Sequence, residues 1–300
     1  MAILLDETTE VVVQGATGKE GQFRIQMMRG YGTRIVAGVT PGRGGMAVDG
    51  VPIYDTVEEA KERHPNLSTS VIFVPARHTR SAAFEALDAG LRFVLLVPER
   101  VPQQDMLEII QRARECQAVV IGPNSIGVVS PGKAIIGVIG GRMELMRTAF
   151  RPGPCGVLSR SGGQTTTLCY YLTKAGVGQS TAIGVGGDAF VGASWSELLP
   201  LFERDPETRM MALFGEIGTT NEEDAAALIQ AGGFTKPVVA YVSGRYARPG
   251  MRFGHAGAII SRGIGTAEAK IAALRDAGVQ VIEHLGDIGP AARRILDALP

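Results

Sequence analysis

One histidine of this 300-residue chain has neighbours that suit a catalytic group. His255 lies in the run Gly254-His255-Ala256-Gly257-Ala258, and small neighbours let such a loop approach another backbone closely. An imidazole can act as a nucleophile toward a phosphoryl group when a hydrogen-bond partner orients its other ring nitrogen. Glu216, which follows an apolar run that predicts a buried strand, is a plausible partner. The pairing itself is an expectation, since spacing along the chain does not establish it. The other histidines have polar neighbours and are expected to be solvated or structural: His64, His78 and His284.

A glycine-rich loop near the N-terminus has the composition of a phosphate site. The run Gln14-Gly15-Ala16-Thr17-Gly18-Lys19-Glu20-Gly21 follows the first predicted strand and opens the first predicted helix. Free backbone N–H groups at a helix N-terminus attract phosphate. A second loop, Thr40-Pro41-Gly42-Arg43-Gly44-Gly45, follows the second strand and offers a cation at the same sheet edge. A tight turn without a ligand is the alternative, because a lone glycine motif is a weak signal.

The end of the second predicted strand argues against an NAD site. No acidic residue ends that strand to hold a ribose hydroxyl. Arg43 fits a phosphorylated nucleotide better, because guanidinium binds phosphate well.

A second candidate anion site lies in the C-terminal half, where the run Ser159-Arg160-Ser161-Gly162-Gly163-Gln164 opens another helix. Ser161 as a simple N-cap is the alternative, and both can hold at once.

The elements that position these loops alternate along the whole chain. The predicted strands are Glu10–Gln14, Arg34–Val39, Ser70–Val74, Phe93–Val97, Ala118–Ile121, Gly156–Ser159, Thr181–Gly184, Met210–Phe214, Pro237–Val242 and Val279–Ile282. Amphipathic helical patterns lie between them, and continuous apolar strands indicate mainly parallel sheets that are buried on both faces. The fold class is therefore α/β, doubly wound. The breaker Arg151-Pro152-Gly153-Pro154 predicts two domains, residues 1–151 and 152–300.

Composition excludes several classes of protein. Thirty basic and thirty acidic residues give a formal net charge of zero, without the basic footprint of a nucleic-acid binder. No apolar run is long enough for a membrane span, and the acidic N-terminus does not look like a signal peptide. Three cysteines without a CxxC pair indicate neither a disulfide scaffold nor a zinc site, so a cytoplasmic protein is expected.

Taken in order, the motifs resemble one family. Gln14 to Gly21, Gly38-Val39-Thr40-Pro41-Gly42, Gly122-Pro123-Asn124, Ser159-Arg160-Ser161-Gly162, Gly184-Val185-Gly186-Gly187-Asp188, Gly215-Glu216-Ile217-Gly218 and Gly254-His255-Ala256-Gly257-Ala258-Ile259-Ile260 match across nearly the whole chain. The chain resembles alpha subunits of succinyl-CoA synthetase, within the nucleoside-diphosphate-forming acyl-CoA synthetases. The resemblance implies a Rossmann-like CoA-binding domain followed by a flavodoxin-like ligase domain with a phosphohistidine loop.

The resemblance also implies a reaction and partners. A small carboxylic acid would be joined to CoA at the expense of ATP or GTP, through an acyl phosphate and a phosphorylated histidine. The nucleotide and Mg²⁺ would bind mainly to an ATP-grasp beta subunit, in an αβ or α2β2 hetero-oligomer. By resemblance, His255 is the phosphorylated residue and Glu216 its partner. The residues implied for CoA are Thr17, Gly18, Lys19, Glu20, Arg43, Val97, Pro98 and Glu99, and those implied for phosphate or the acid are Ser161, Gly162, Gly163 and Thr166.

The sequence departs from the family pattern where the acid is expected to bind. The family's Thr-Leu-Thr-Tyr-Glu is Gly163-Gln164-Thr165-Thr166-Thr167 here, so the tyrosine associated with the acid aligns with Thr166. The Ser-Gly-Gly and Phe-Gly-His runs are instead similar to those of citrate-using relatives, and Ser125 replaces a family cysteine. Another acid such as citrate or malate is therefore an alternative. A non-catalytic CoA-binding regulator and an NAD(P)-dependent oxidoreductase are alternatives of other classes.

Overall fold

The protein folds into two sheets covered by helices. The computed structural model describes residues 2–141, 143–247, 254–260 and 265–300. Phe253, the first residue of the Phe-Gly-His run, lies outside the described residues. Within the described chain the first sheet has seven strands in the order β3-β4-β2-β1-β5-β6-β7. Its strands are β1 (Glu10–Gln14), β2 (Arg34–Val39), β3 (Ala47–Val48), β4 (Val51–Tyr54), β5 (Leu67–Ile72), β6 (Phe93–Leu96) and β7 (Val119–Ile121).

The second sheet follows the same plan with an antiparallel edge. In the part of the chain that is described, its order is β14-β13-β12-β10-β11-β8-β9. Its strands are β8 (Gly127–Ser130), β9 (Ala134–Gly137), β10 (Pro152–Ser159), β11 (Gln179–Gly184), β12 (Met210–Gly215), β13 (Val238–Val242) and β14 (Gln280–Ile282). Neighbours from β11 to β14 are parallel, whereas β8 pairs antiparallel with β11 and with β9. The predicted α/β class with mainly parallel sheets is confirmed.

Helices cover the faces of both sheets. They are α1 (Lys19–Tyr31), α2 (Val57–Arg63), α3 (Ala76–Asp88), α4 (Gln103–Glu115), α5 (Met143–Ala149), α6 (Gly162–Lys174), α7 (Trp195–Arg204), α8 (Asn221–Gln230), α9 (Ala267–Asp276) and α10 (Ile288–Asp297). Side-chain caps fix several of their starts. Ser194 accepts a hydrogen bond from the Glu197 backbone in a capping box, and Thr56 and Thr266 cap α2 and α9 in the same way.

Two antiparallel strands and α5 lie between the predicted strand Ala118–Ile121 and the breaker at residues 151–154, where the sequence predicts no strand. The turn that begins after Ser130 joins β8 to β9. Each of these strands has four residues, too few to give a clear periodic signal. The hairpin precedes the predicted division between residues 151 and 152 and joins the second sheet, and one apolar cluster includes residues of both sheets, such as Val13 and Leu213. The two-domain division stays a prediction.

The two sheets meet through backbone hydrogen bonds near their strand ends. The Gly122 N–H, after β7, donates to the Val185 carbonyl, after β11, over 3.2 Å, and the Gly192 N–H donates to the Gly122 carbonyl over 2.8 Å. The Thr33 hydroxyl donates to the Ile135 carbonyl over 2.6 Å and is buried. Among the described residues, no helix is both long and apolar enough to cross a bilayer.

Burial of α7 against the second sheet gives the first prediction. Phe202 of α7 has no exposed surface, whereas Leu107 of α4 is 51% exposed. Phe202→Ala leaves a cavity and is expected to lower the free energy of unfolding by about 3–5 kcal/mol. Leu107→Ala is expected to change it by less than about 1 kcal/mol. Urea unfolding followed by circular dichroism measures both, and equal midpoints for the two variants would contradict this packing.

Candidate active site

The predicted histidine and glutamate are in direct contact. Nδ1 of His255 lies 2.9 Å from Oε2 and 3.1 Å from Oε1 of Glu216. The glutamate side chain is 7% exposed and the histidine side chain 27% exposed. In a neutral imidazole that donates its Nδ1 proton to the carboxylate, Nε2 keeps a lone pair. That is the arrangement a histidine nucleophile requires.

The carboxylate changes the proton affinity of the imidazole. The hydrogen bond that Glu216 accepts from the imidazole raises the pKa of His255 above its ordinary value, while partial burial and the positive charge of Arg160 oppose this rise. A raised pKa keeps the imidazolium present to higher pH, and imidazolium has no lone pair on Nε2. The nucleophilic form therefore gains population as pH rises through the raised pKa. The stabilisation that protonated His255 gives to the fold is lost over the same interval.

A glycine makes room for the His255 ring. A Cβ added at Gly187 would lie 2.4 Å from Cγ and 2.5 Å from Cδ2 of His255. The Gly257 N–H also donates to the Gly187 carbonyl over 3.0 Å, which fixes the two loops together. The run Gly184-Val185-Gly186-Gly187-Asp188 after β11 thus forms one wall of the histidine site.

Helix α6 begins beside this site with its amides available. Ser161 occupies the N-cap position, but its side chain makes no capping hydrogen bond. Ser161 therefore occupies the predicted N-cap position, but the prediction that its hydroxyl caps the helix is wrong. Gly162, Gly163 and Thr166 line one pocket of about 640 Å³ together with apolar side chains such as Ile126. The structure brings these three predicted residues together, while Ser161 lies outside the pocket lining.

The first glycine loop lines a cavity of about 730 Å³. Thr17 and Gly18 contribute to it from the start of α1, and Thr40 contributes from the end of β2. Gly15 has φ of +81°, and a Cβ at Gly21 would lie 2.3 Å from the Gly15 carbonyl oxygen. These two glycines allow the tight turn that brings the helix N-terminus to the cavity, where free amides fit a phosphate.

The charged residues predicted for CoA lie at the margin of that cavity. Lys19, Glu20 and Arg43 are exposed and lie outside its lining. Glu20 forms an ion pair with Arg24, Nε to Oε1, over 2.6 Å. The Asp55 carboxylate accepts the Arg43 N–H over 2.8 Å and so holds the second glycine loop. Asp55 is not among the residues predicted for this site, although an acidic residue directly after a strand, here β4, is a recognisable signal.

His78 also lines the larger cavity, which its polar neighbours in the sequence did not indicate. Its position after Pro75, at the start of α3, brings it to the carboxyl edge of the first sheet. Glu85, about two turns further along the same face of α3, lines the same cavity. Both residues lie on α3, and which residues of this helix face the cavity depends on how the helix packs against the sheet.

The loop after β6 connects the two sites. Val97 and Pro98 are half-buried, and Glu99 is exposed and lies 3.6 Å from Arg100. Arg100 and Ala256 both line a smaller cavity of about 260 Å³, together with Asp188 and Phe190. The loop predicted for CoA therefore adjoins the histidine loop. No group of three metal-ligating side chains occurs among the described residues.

Comparison with known families gives two matches. Residues 6–100 match the family described as "CoA binding domain", and residues 158–280 match the family described as "CoA-ligase". The first match includes the larger cavity's glycine loop, and the second includes both His255 and Glu216.

Several curated proteins match over their full length. The chain is 50% identical over 297 residues to succinate–CoA ligase [ADP-forming] subunit alpha 1 of Archaeoglobus fulgidus, covering 99% of each chain. It is 40% identical over 296 residues to the ADP-forming sulfoacetate-CoA ligase subunit SauD of Bilophila wadsworthia, covering 99% of this chain and 100% of that one.

A solved structure has the same fold. ATP citrate lyase from Methanothrix soehngenii, in complex with citrate and coenzyme A, superposes with a TM-score of 0.91 at 29% identity. The alignment covers 98% of this chain and 50% of the lyase chain, so this chain corresponds to about half of that protein.

The close approach of Gly187 to the imidazole gives the second prediction. Gly187→Ala is expected to displace the His255 ring, because the new methyl group would overlap it. NMR titration should then show a His255 pKa closer to the ordinary value, since the Glu216 hydrogen bond is lost. Gly286→Ala is the control, because a Cβ there meets no atom within 4 Å. An unchanged His255 titration in Gly187→Ala would contradict the arrangement.

Proposed function

The chain belongs to the CoA-ligase family as an alpha-type subunit, and from this premise we propose that His255 carries a phosphoryl group during synthesis of an acyl-CoA. The observation that supports the proposal most directly is the hydrogen bond of 2.9 Å between Nδ1 of His255 and Oε2 of Glu216. It leaves Nε2 as the nitrogen that can attack phosphorus. The net reaction joins a carboxylic acid to CoA while ATP or GTP is converted to the diphosphate and phosphate.

The first chemical step forms a bond between Nε2 and the terminal phosphorus. The bond from that phosphorus to the bridging oxygen breaks, and the nucleoside diphosphate leaves. The hydrogen bond from Nδ1 to Glu216 stabilises the positive charge that develops on the ring. The backbone amides at the start of α6 are available to an anion because Ser161 does not cap them.

Two further steps complete the reaction. A carboxylate oxygen of the acid attacks the phosphorus, the bond from Nε2 to phosphorus breaks, and an acyl phosphate forms. The CoA thiol, as its thiolate, then attacks the acyl carbon and releases phosphate. The larger cavity, with the amides at the start of α1, suits the phosphates of CoA. The residues proposed to contact CoA are Thr17, Gly18, Lys19, Glu20, Arg43, Val97, Pro98 and Glu99.

The acid is proposed to be small and to carry a second anionic group. Succinate, sulfoacetate and citrate, which are named for relatives of this chain, share this feature. Thr166, where the family has a tyrosine, lies in the pocket of about 640 Å³ with Gly162 and Gly163. A threonine there leaves more space than a tyrosine would, so citrate and malate remain alternatives to succinate.

A second subunit is proposed to complete the enzyme. The relatives are named as subunits, and the described residues contain no cluster of metal ligands for Mg²⁺. An ATP-grasp beta subunit would supply the nucleotide and Mg²⁺ in an αβ or α2β2 assembly, and we propose that it acts in the cytoplasm. A CoA-binding regulator without chemistry is the competing function, and the experiment below separates the two.

Phosphorylation of the histidine gives the third prediction. The purified heteromer, incubated with Mg²⁺ and γ-labelled ATP, should acquire a label that is stable in base and lost in acid. His255→Asn should abolish it, while Tyr246→Phe, at a side chain that is 98% exposed, should label like the wild type. Absence of label in the wild-type heteromer would favour the regulator.

Substrate selection gives the fourth prediction. Succinate, sulfoacetate, malate and citrate are compared with butyrate, which resembles succinate but lacks the second carboxylate. At least one dianionic acid should exceed butyrate in kcat/KM by about 100-fold or more, because polar groups built for an anion are left unpaired by the methyl group. Comparable thioester formation with butyrate would exclude an acid site that recognises a second charge.

Loss of one CoA contact gives the fifth prediction. Arg43→Ala should weaken CoA binding about tenfold or more, because a charge-assisted hydrogen bond contributes roughly 1.5–3 kcal/mol. Phosphorylation of His255 by ATP should stay at the wild-type level. Arg293→Ala, at an exposed arginine of α10, serves as the control. Calorimetry measures CoA affinity, and an equal loss of both functions in Arg43→Ala would show that Arg43 does not act through CoA.

A further inference from the structure

A fully buried positive charge lies next to the histidine site. The side chain of Arg160, between β10 and α6, has no exposed surface. Burial of a guanidinium is costly unless negative charges and hydrogen-bond acceptors surround it. Its Nε lies 3.8 Å from Oε1 of Glu216 and makes no hydrogen bond within the described structure. The arginine is therefore placed to act on the carboxylate by its charge.

The other guanidinium nitrogens join the loops around the site. Nη1 donates to the Thr219 hydroxyl over 2.6 Å and lies 3.5 Å from the Gly218 carbonyl. Nη2 donates to the Asp188 carbonyl over 3.1 Å. A Cβ at Gly257 would lie 2.7 Å from Nη2, so the histidine loop packs directly on the guanidinium. One planar group thus contacts the loops after β11 and β12 and the loop that bears the histidine.

We propose that Arg160 is a positioning residue for phosphoryl transfer, supplying a permanent buried positive charge that disfavours the imidazolium form of His255 while its hydrogen bonds hold the surrounding loops. The proposal rests on the proposed function of His255 as the phosphoryl acceptor. In the neutral imidazole that donates its Nδ1 proton to Glu216, the lone pair lies on Nε2. Arginine suits the position because it stays charged when buried and its fork spans several acceptors.

The other charged side chains near Glu216 lie on neighbouring elements and have their own partners. Asp188, after β11, interacts electrostatically with the imidazole and raises its pKa. Glu222 of α8 accepts the Glu216 N–H over 3.0 Å and is itself paired with Lys270 of α9. Lys270, which has no exposed side-chain surface, also pairs with Glu223. This lysine balances the two α8 carboxylates, whereas Arg160 faces the carboxylate that binds the histidine.

Removal of the Arg160 charge is expected to shift the protonation of His255 in one direction. Arg160 lowers the pKa of His255, because a nearby positive charge disfavours the imidazolium. Without it, the imidazolium persists to higher pH and Nε2 is blocked over a wider range. The acid limb of the phosphorylation rate should then move to higher pH. A residue that only maintained the fold would lower the rate without moving this limb.

The test measures single-turnover phosphorylation of the complete heteromer against pH. Arg160→Met removes the charge, and its acid limb should move upward by about half a pH unit or more. Arg160→Lys keeps the charge but not the fork, so the rate should fall while the limb stays near its wild-type position. Thr219→Val removes the Nη1 hydrogen bond alone and should also leave the limb in place.

The controls separate this inference from the proposed function. If wild-type protein is not phosphorylated, the proposed function fails. If the wild type is phosphorylated and Arg160→Met leaves the acid limb unmoved, only the role of Arg160 fails. Arg160→Gln replaces Arg160→Met if the methionine variant does not fold. A limb that moves as far in Arg160→Lys as in the neutral variant would also overturn the proposal, because the charge would then not be responsible.

Discussion

The hydrogen bond between His255 and Glu216 is the interaction on which the rest of this site depends. It joins a loop that is 39 residues further along the chain to the end of β12. A carboxylate that is 7% exposed binds the imidazole much more effectively than one in water, because the lower dielectric strengthens the interaction. The same burial is costly for a charged group unless an opposite charge lies nearby. The position of Arg160 follows from this requirement.

The fold supplies this pair at the place where parallel sheets commonly bind ligands. Strands β10, β11 and β12 are adjacent and parallel, so the loops that follow them meet at one edge. Each loop contributes one part: the start of α6, the glycine that receives the imidazole, and Glu216. The first sheet repeats the arrangement with the glycine loop before α1. A small cavity is lined both by Arg100, in the loop after β6, and by Ala256, in the histidine loop.

Local patterns predicted those parts of the protein whose structure depends on local sequence. β1 and β2 begin and end at the predicted residues, because their apolar runs are flanked by clear turn signals. The hairpin of β8 and β9 was not predicted, since its short strands are stabilised by pairing with β11 and not by their own pattern. Glu216 was a plausible partner of His255, but neither their contact nor the residues that support it could be read from the sequence. Arg160 and Lys270 have ordinary neighbours in the sequence, and only the folded chain shows that both are fully buried.

The central claim concerns a single atom, Nε2 of His255, and NMR can identify that atom directly. The heteromer is prepared with ¹⁵N-labelled histidine in the alpha chain and is phosphorylated with ATP and Mg²⁺. Coupling between phosphorus and the imidazole nitrogens then identifies the modified position. The account predicts phosphorus on Nε2 of His255, with the proton retained on Nδ1 facing Glu216. Phosphorus on Nδ1, or on a different residue, would contradict it.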